Sequence, residues 1–168
     1  MKGDPTSGVA DAAAVDAAAR RRGIAAAIAC ISVVGFGLSL SAPLLSLILE
    51  ARGISSTMIG VNTAVAGVAS LVTAPFVGRF VRLYGMTRVI HACLAISAIS
   101  FVLFPATEFW AWFPLRFVFT AAVTVLFVAS EFWIVAAAPA GRRGFVMGIY
   151  ATVLSAGFAV GPGVLAVF

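Results

Sequence analysis

Charged side chains are scarce in this sequence: 10% of its 168 residues are Asp, Glu, Lys or Arg, while 62% are hydrophobic. Soluble domains carry about a quarter charged and about half apolar residues, so a water-soluble globular fold is excluded. Histidine occurs once and cysteine twice, as Cys30 and Cys93, both inside apolar runs and without paired spacing. That leaves no disulfide framework and no metal site. No intramembrane His-Glu cluster, serine with a catalytic partner or nucleotide loop appears, and enzymatic chemistry has no constellation to rest on. The first twenty residues are acidic and alanine-rich and lack the basic start and apolar run of a cleavable signal. The first apolar run is therefore expected to stay as an anchor.

What the chain does have is long apolar runs. A membrane span takes roughly 20 mainly apolar residues, and five such runs fill the chain, at about residues 24–49, 55–77, 89–104, 110–137 and 145–168. The expected organisation is a mobile cytoplasmic tail over residues 1–22 and an all-α transmembrane bundle over 23–168. The net charge of +5 falls in the short connections, which a bias of basic residues toward the cytoplasm explains without a nucleic-acid partner. Lys2, Arg20, Arg21, Arg22, Arg79, Arg82, Arg88, Arg142 and Arg143 share one side, and Arg52 is on the other.

At helical spacing Ser32, Gly35, Ser39, Ala42 and Ser46 fall within roughly an 80° arc of the first span. Such a small, polar face permits close helix packing or lines a water-filled pathway, with Ser32, Ser39 and Ser46 as its candidates. In the second span Gly60, Ala64, Gly67, Ala74 and Gly78 form a small-residue stripe, against which another helix is expected to pack. His91, one turn after Arg88, reads as interfacial. The fourth span is bounded by Trp110 and Trp112 outside and Trp133 inside, as in an aromatic belt. Between them lie Arg116 and Glu131, about 60° apart around the helix, with Thr120 and Phe127 in the same sector. A charge at mid-membrane costs on the order of 2.5 to 3.5 kcal/mol on the insertion scale, so each needs a partner, a cavity or an interface. Arg116 can snorkel to the outer interface or face inward as a functional group.

Four stretches share an order with one known family. GRFVRLYGMTR, from Gly78 to Arg88, reads as a tight charged turn. It resembles the loop between the second and third spans of the major facilitator superfamily: Gly, three residues, Asp, a basic residue, any residue, Gly, then basic residues. It matches at Gly78, Gly85 and Arg88 and departs at Arg82, in the aspartate position, and at Leu83, Met86 and Thr87. PLLSLILEARG, from Pro43 to Gly53, is similar to the end of the family's first span. Arg116 occupies the position of a membrane arginine in its fourth span. Gly148, Gly157, Gly161 and Pro162 look like the fifth-span motif of the proton-coupled antiporter branch, whose closing glycine pair is Leu165 and Ala166 here.

The resemblance implies two six-span bundles with substrate bound between them near mid-membrane, of which this chain corresponds to the first five spans. It implies secondary, proton-coupled transport of a small organic solute across the bacterial inner membrane, with no cofactor and a C-terminal bundle as partner. Arg116, Thr120 and Phe127 would then serve the substrate or proton pathway. Gly78, Arg79, Arg82, Gly85, Arg88 and Glu131 would form the cytoplasmic loop and gate, with Glu131 paired to one of the arginines. Gly148, Gly157, Gly161 and Pro162 would serve packing or bending. The competing reading is a nontransporting membrane subunit or degenerate truncated remnant, in which the small-residue stripes only hold helices together. Reporter fusions test the topology: a fusion at Glu108 is expected to report the outside and one at Arg142 the cytoplasm, and a cytoplasmic signal at Glu108 overturns it.

Overall fold

The structure is a computed structural model that describes residues 18–19, 22–23, 25, 28, 32, 35 and 38–165. Residues 1–17, Arg20, Arg21, Cys30 and residues 166–168 lie outside the described residues, as do most positions of the first half of the first span. Ala18, Ala19 and Arg22, in the stretch expected to be a mobile tail, are helical. The remaining order is α1 (Leu38–Ala51), α2 (Ser56–Thr73), α3 (Val77–Tyr84), α4 (Met86–Leu103), α5 (Trp112–Ala137) and α6 (Arg143–Leu165). Single 3-10 turns precede α3, α5 and α6. Apolar side chains leave the backbone no water to bond in a bilayer, and a helix satisfies every backbone group within the segment. Ser56–Tyr84, Met86–Leu103, Phe109–Ala137 and Arg143–Val160 are each long and apolar enough to cross a membrane.

The α1–α2 connection is closed by local chemistry. Gly53, at φ 75°, takes a left-handed conformation that side chains disfavour. It lets the Gly53 N–H reach the Glu50 carbonyl at 2.9 Å and the Ile54 N–H reach that of Leu49 at 3.1 Å, the paired bonds of a Schellman stop. Ser55 then caps α2 through its hydroxyl and the Met58 N–H. Between these caps, Arg52 reaches across to the α4–α5 connection. Its guanidinium donates to the carbonyls of Thr107 at 2.8 Å and Pro105 at 2.6 Å and lies 5.4 Å from the centre of the Trp112 ring. Trp112 itself is fully buried, edge-on to Phe104 at 4.9 Å. It belongs to the core and not to an interfacial belt, whereas Trp110 is largely exposed.

At the other end, the stretch read as a charged turn is helical as far as Tyr84. Pro75 opens a single 3-10 turn, Ala74–Phe76, and α3 resumes directly. Helix persists because α3 is amphipathic: Val77 and Val81 pack against Val89, Val125 and Ala129, while Arg79 and Arg82 point outward. The reversal falls on Gly85 alone, at φ 82° and ψ 147°, a region open essentially only to glycine.

α5 is the hub, packed between α2 and α4, with Trp112, Phe119, Val123 and Leu126 in the main core. The small-residue stripe of α2 does not meet it. Gly60, Ala64, Gly67, Ala74 and Gly78 are all exposed, and a Cβ built at Gly60, Gly67 or Gly78 would touch nothing within 4 Å. The buried side of this span is Asn62, Ala69 and Val77 instead. Close packing occurs where Gly35 faces Leu154, whose Cδ1 would lie 2.9 Å from an added Cβ. The Arg52 clamp is testable: Arg52→Ala should lower unfolding stability in detergent by on the order of 1 kcal/mol or more. Arg52→Lys should restore little, because lysine lacks the planar fork; wild-type melting in both variants removes the clamp.

Candidate functional site

The interior face of α5 carries Arg116, Thr120 and Ser130 among its buried apolar residues. Arg116 is 5% and Thr120 9% exposed, so the arginine is covered by protein and does not reach outward to an interface. One turn further inward, the Thr124 hydroxyl bonds the Thr120 carbonyl at 2.8 Å and meets the Ser70 hydroxyl of α2 at 3.0 Å. These groups border a cavity of about 270 Å³ lined by Leu38, Ser70, Thr120, Val123, Thr124 and Phe127. Thr120 and Phe127, placed together by helical spacing, do share it.

Ser70 meeting Thr124 also sets a register. α2 and α5 are alternate spans and run in the same direction, so eight residues back from that pair Asn62 stands level with Arg116. Asn62 is 1% exposed, and its Nδ2 has no hydrogen-bond partner among the described residues. A buried donor left in this way is uncommon, since nearly all buried polar groups are paired. Two donors, one charged, therefore occupy the same level above the cavity.

The serines of the first span divide. Ser39 donates to the Phe158 carbonyl of α6 at 2.6 Å, a bond between helices. Ser32 and Ser46 donate to carbonyls four residues back in their own helix, those of Ile28 and Ala42. Glu131 does not meet the arginines of the Gly78–Arg88 stretch. Among the described residues its partner is Tyr150 of α6, whose hydroxyl donates to Oε1 at 3.1 Å. The reason is geometric: Arg79, Arg82 and Arg88 are turned outward and exposed, while Tyr150 is buried against α5. His91 is exposed and shares a 2.8 Å hydrogen bond with the Thr87 carbonyl. Gly148 is exposed with open space beside it, and Gly157 is half-buried. Gly161 and Pro162 lie within α6, and their surroundings are outside the described residues.

The model of the Major Facilitator Superfamily matches residues 27–168. The chain belongs to this superfamily. With the helices described above, it is a multi-pass membrane protein. It is similar to the uncharacterized MFS-type transporter YfkF of Bacillus subtilis (strain 168), 25% identical over 135 residues. It is similar also to multidrug resistance protein 2 of the same organism, 25% identical over 134 residues. Each alignment covers 79% of this chain and 34% of the relative, so the chain spans about a third of the length of the curated relatives it matches. No solved structure matches it.

Within this superfamily member, sequence reasoning passed over Asn62, Ser70, Thr124 and Tyr150. Asn62 carried a usable signal, as a lone amide inside an apolar run. Ser70 and Thr124 carried none, because a hydroxyl can bond its own helix and leave no trace of a partner. Tyr150 became notable only through the carboxylate beside it. A double-mutant cycle checks that pair. Glu131→Gln and Tyr150→Phe should couple by on the order of 1 kcal/mol in detergent stability, whereas Glu131→Gln should be additive with Arg79→Gln, Arg82→Gln and Arg88→Gln. Additivity at Tyr150 with coupling to an arginine reverses the assignment.

Proposed function

We propose that the chain is the N-terminal portion of a secondary transporter that moves a small organic solute across the bacterial inner membrane, driven by the proton gradient. The observation that carries this reading is the buried Arg116, level with Asn62, on the face of α5 that also holds Thr120 and the cavity bordered by the Ser70, Thr120 and Thr124 hydroxyls. A buried charge inside a membrane bundle is costly to maintain and marks a pathway for substrate or ions more often than a packing element. Arg116, Thr120 and Phe127 are assigned to that pathway, with Ser32 and Ser46 along the first span as its wall and Ser39 at the α1–α6 contact. A small organic solute is the class that the name of multidrug resistance protein 2 supports.

The proposed organisation is a cytoplasmic tail over 1–22 and a bundle over 23–168, with the N-terminus in the cytoplasm, on the side of the basic residues. The exposed stripe of α2 is assigned to contact with a C-terminal bundle. Gly78, Gly85 and the arginines at 79, 82 and 88 would act at the cytoplasmic gate, and Gly148, Gly157, Gly161 and Pro162 in packing and bending of α6.

The test uses the complete protein in inside-out vesicles, with ethidium as the solute and a pH-sensitive dye reporting proton flux. Ethidium is expected to release protons with the wild type. Arg116→Ala should lose the signal at unchanged membrane levels, and Arg116→Lys, which keeps charge but not the fork, should retain only part of it. Wild-type flux in Arg116→Ala removes Arg116 from the pathway, and no ethidium-dependent flux in the wild type removes proton-coupled transport of this cation.

A further inference from the structure

A cavity larger than the one at Thr120 lies elsewhere on α5. A groove of about 560 Å³ lies between the inner end of the second span, α4 and α5. It occupies largely the other side of α5 from the cavity at Thr120: Val118, Ala121 and Val125 line it, and at roughly 100° per residue these lie about 100° or more around the helix from Thr120, Val123 and Phe127. Several of its walls, including Phe80, Tyr84, Ile96 and Val118, are substantially exposed apolar surface. It therefore opens outward and not toward the solute pathway.

Its chemistry is graded along its length. Apart from Thr73, the lining is hydrocarbon, aromatic ring or thiol until the end formed by Tyr84 and Arg88, and no carboxylate among the described residues lines it. Along α4 the lining runs from Arg88 to Ile96, about 12 Å at 1.5 Å per residue. Half of a ~30 Å hydrocarbon core is about 15 Å, so the groove is close to the depth of one leaflet. Arg88 stands at its interfacial mouth, and basic residues between spans on the cytoplasmic side favour anionic head groups. A bilayer offers such a groove one abundant occupant with an apolar tail and a negative head at that separation.

We propose that this groove is a binding site for an anionic phospholipid of the inner leaflet, with an acyl chain between α3, α4 and α5 and its phosphate on Arg88. The charge that fits the phosphate and the apolar volume that fits the chain belong to the same cavity. The outward side of the bundle thus has a ligand chemistry of its own, across α5 from the cavity at Thr120, and it shares Arg88 with the proposed cytoplasmic gate.

Native mass spectrometry of the complete protein, titrated with phosphatidylglycerol or with phosphatidylcholine of the same acyl chains, tests the site. The wild type should retain phosphatidylglycerol about fivefold more tightly, the effect of one arginine near the surface. Arg88→Gln should erase that preference and Arg88→Lys should keep it. Ala121→Trp, which fills the groove from its half-buried wall, should weaken both lipids at an unchanged melting temperature. An equal preference in wild type and Arg88→Gln overturns the proposal. So does an Ala121→Trp variant that melts early with lipid selectivity intact, which would place a protein helix in the groove.

Discussion

The packing of α5 against α2 and α4 has little hydrophobic force behind it once the surroundings are lipid, because hydrocarbon outside the bundle is as apolar as hydrocarbon within it. What remains is close approach and hydrogen bonding between helices. The structure uses both: Ala69 is buried on the packed side of α2, and the Ser70 and Thr124 hydroxyls meet at 3.0 Å. Hydrogen bonds of this kind contribute only about 0.6 to 2 kcal/mol each. Their larger effect is on register. Once Ser70 is opposite Thr124, Asn62 is brought level with Arg116, and every group on the interior face has its depth set.

The two ends of the bundle are closed by different means. On one, Arg52 gathers two carbonyls and the Trp112 ring, so that a single cation ties the α1–α2 connection to the α4–α5 connection. On the other, reversal depends on Gly85, and the arginines nearby are exposed. The first is a protein-internal contact of a charge. The second leaves its charges exposed and without an ion-pair partner among the described residues. Glu131 belongs to neither end's charge network among the described residues, since Tyr150 takes its carboxylate and joins α5 to α6.

Two faces of one helix thereby acquire different solvents. Toward the interior α5 presents a buried arginine and, around a small cavity, two hydroxyls; on its far side it presents a ring, two valines and two alanines to a larger apolar groove. Counting apolar residues does not separate these faces, because valine and phenylalanine occur on both. The distinction lies in which positions carry a polar atom and in what the neighbouring helices leave uncovered.

The all-α membrane character and the sector shared by Arg116, Thr120 and Phe127 were legible in the sequence, because composition and the 100° step of a helix are properties of a single segment. The order of motifs was likewise enough to indicate the superfamily that the match over residues 27–168 established. The extent of α3 was not legible, since its arginines read as a loop and only the packing of Val77 and Val81 shows that helix continues. Nor was the side of α2 that meets α5: glycines and alanines indicated one face, while Asn62, Ala69 and Ser70 make the contact. The partner of Glu131 was misassigned for the same reason. A single helix specifies angles and depths about its own axis, but which neighbour stands at a given angle depends on how several helices share space, and that is decided only when they pack.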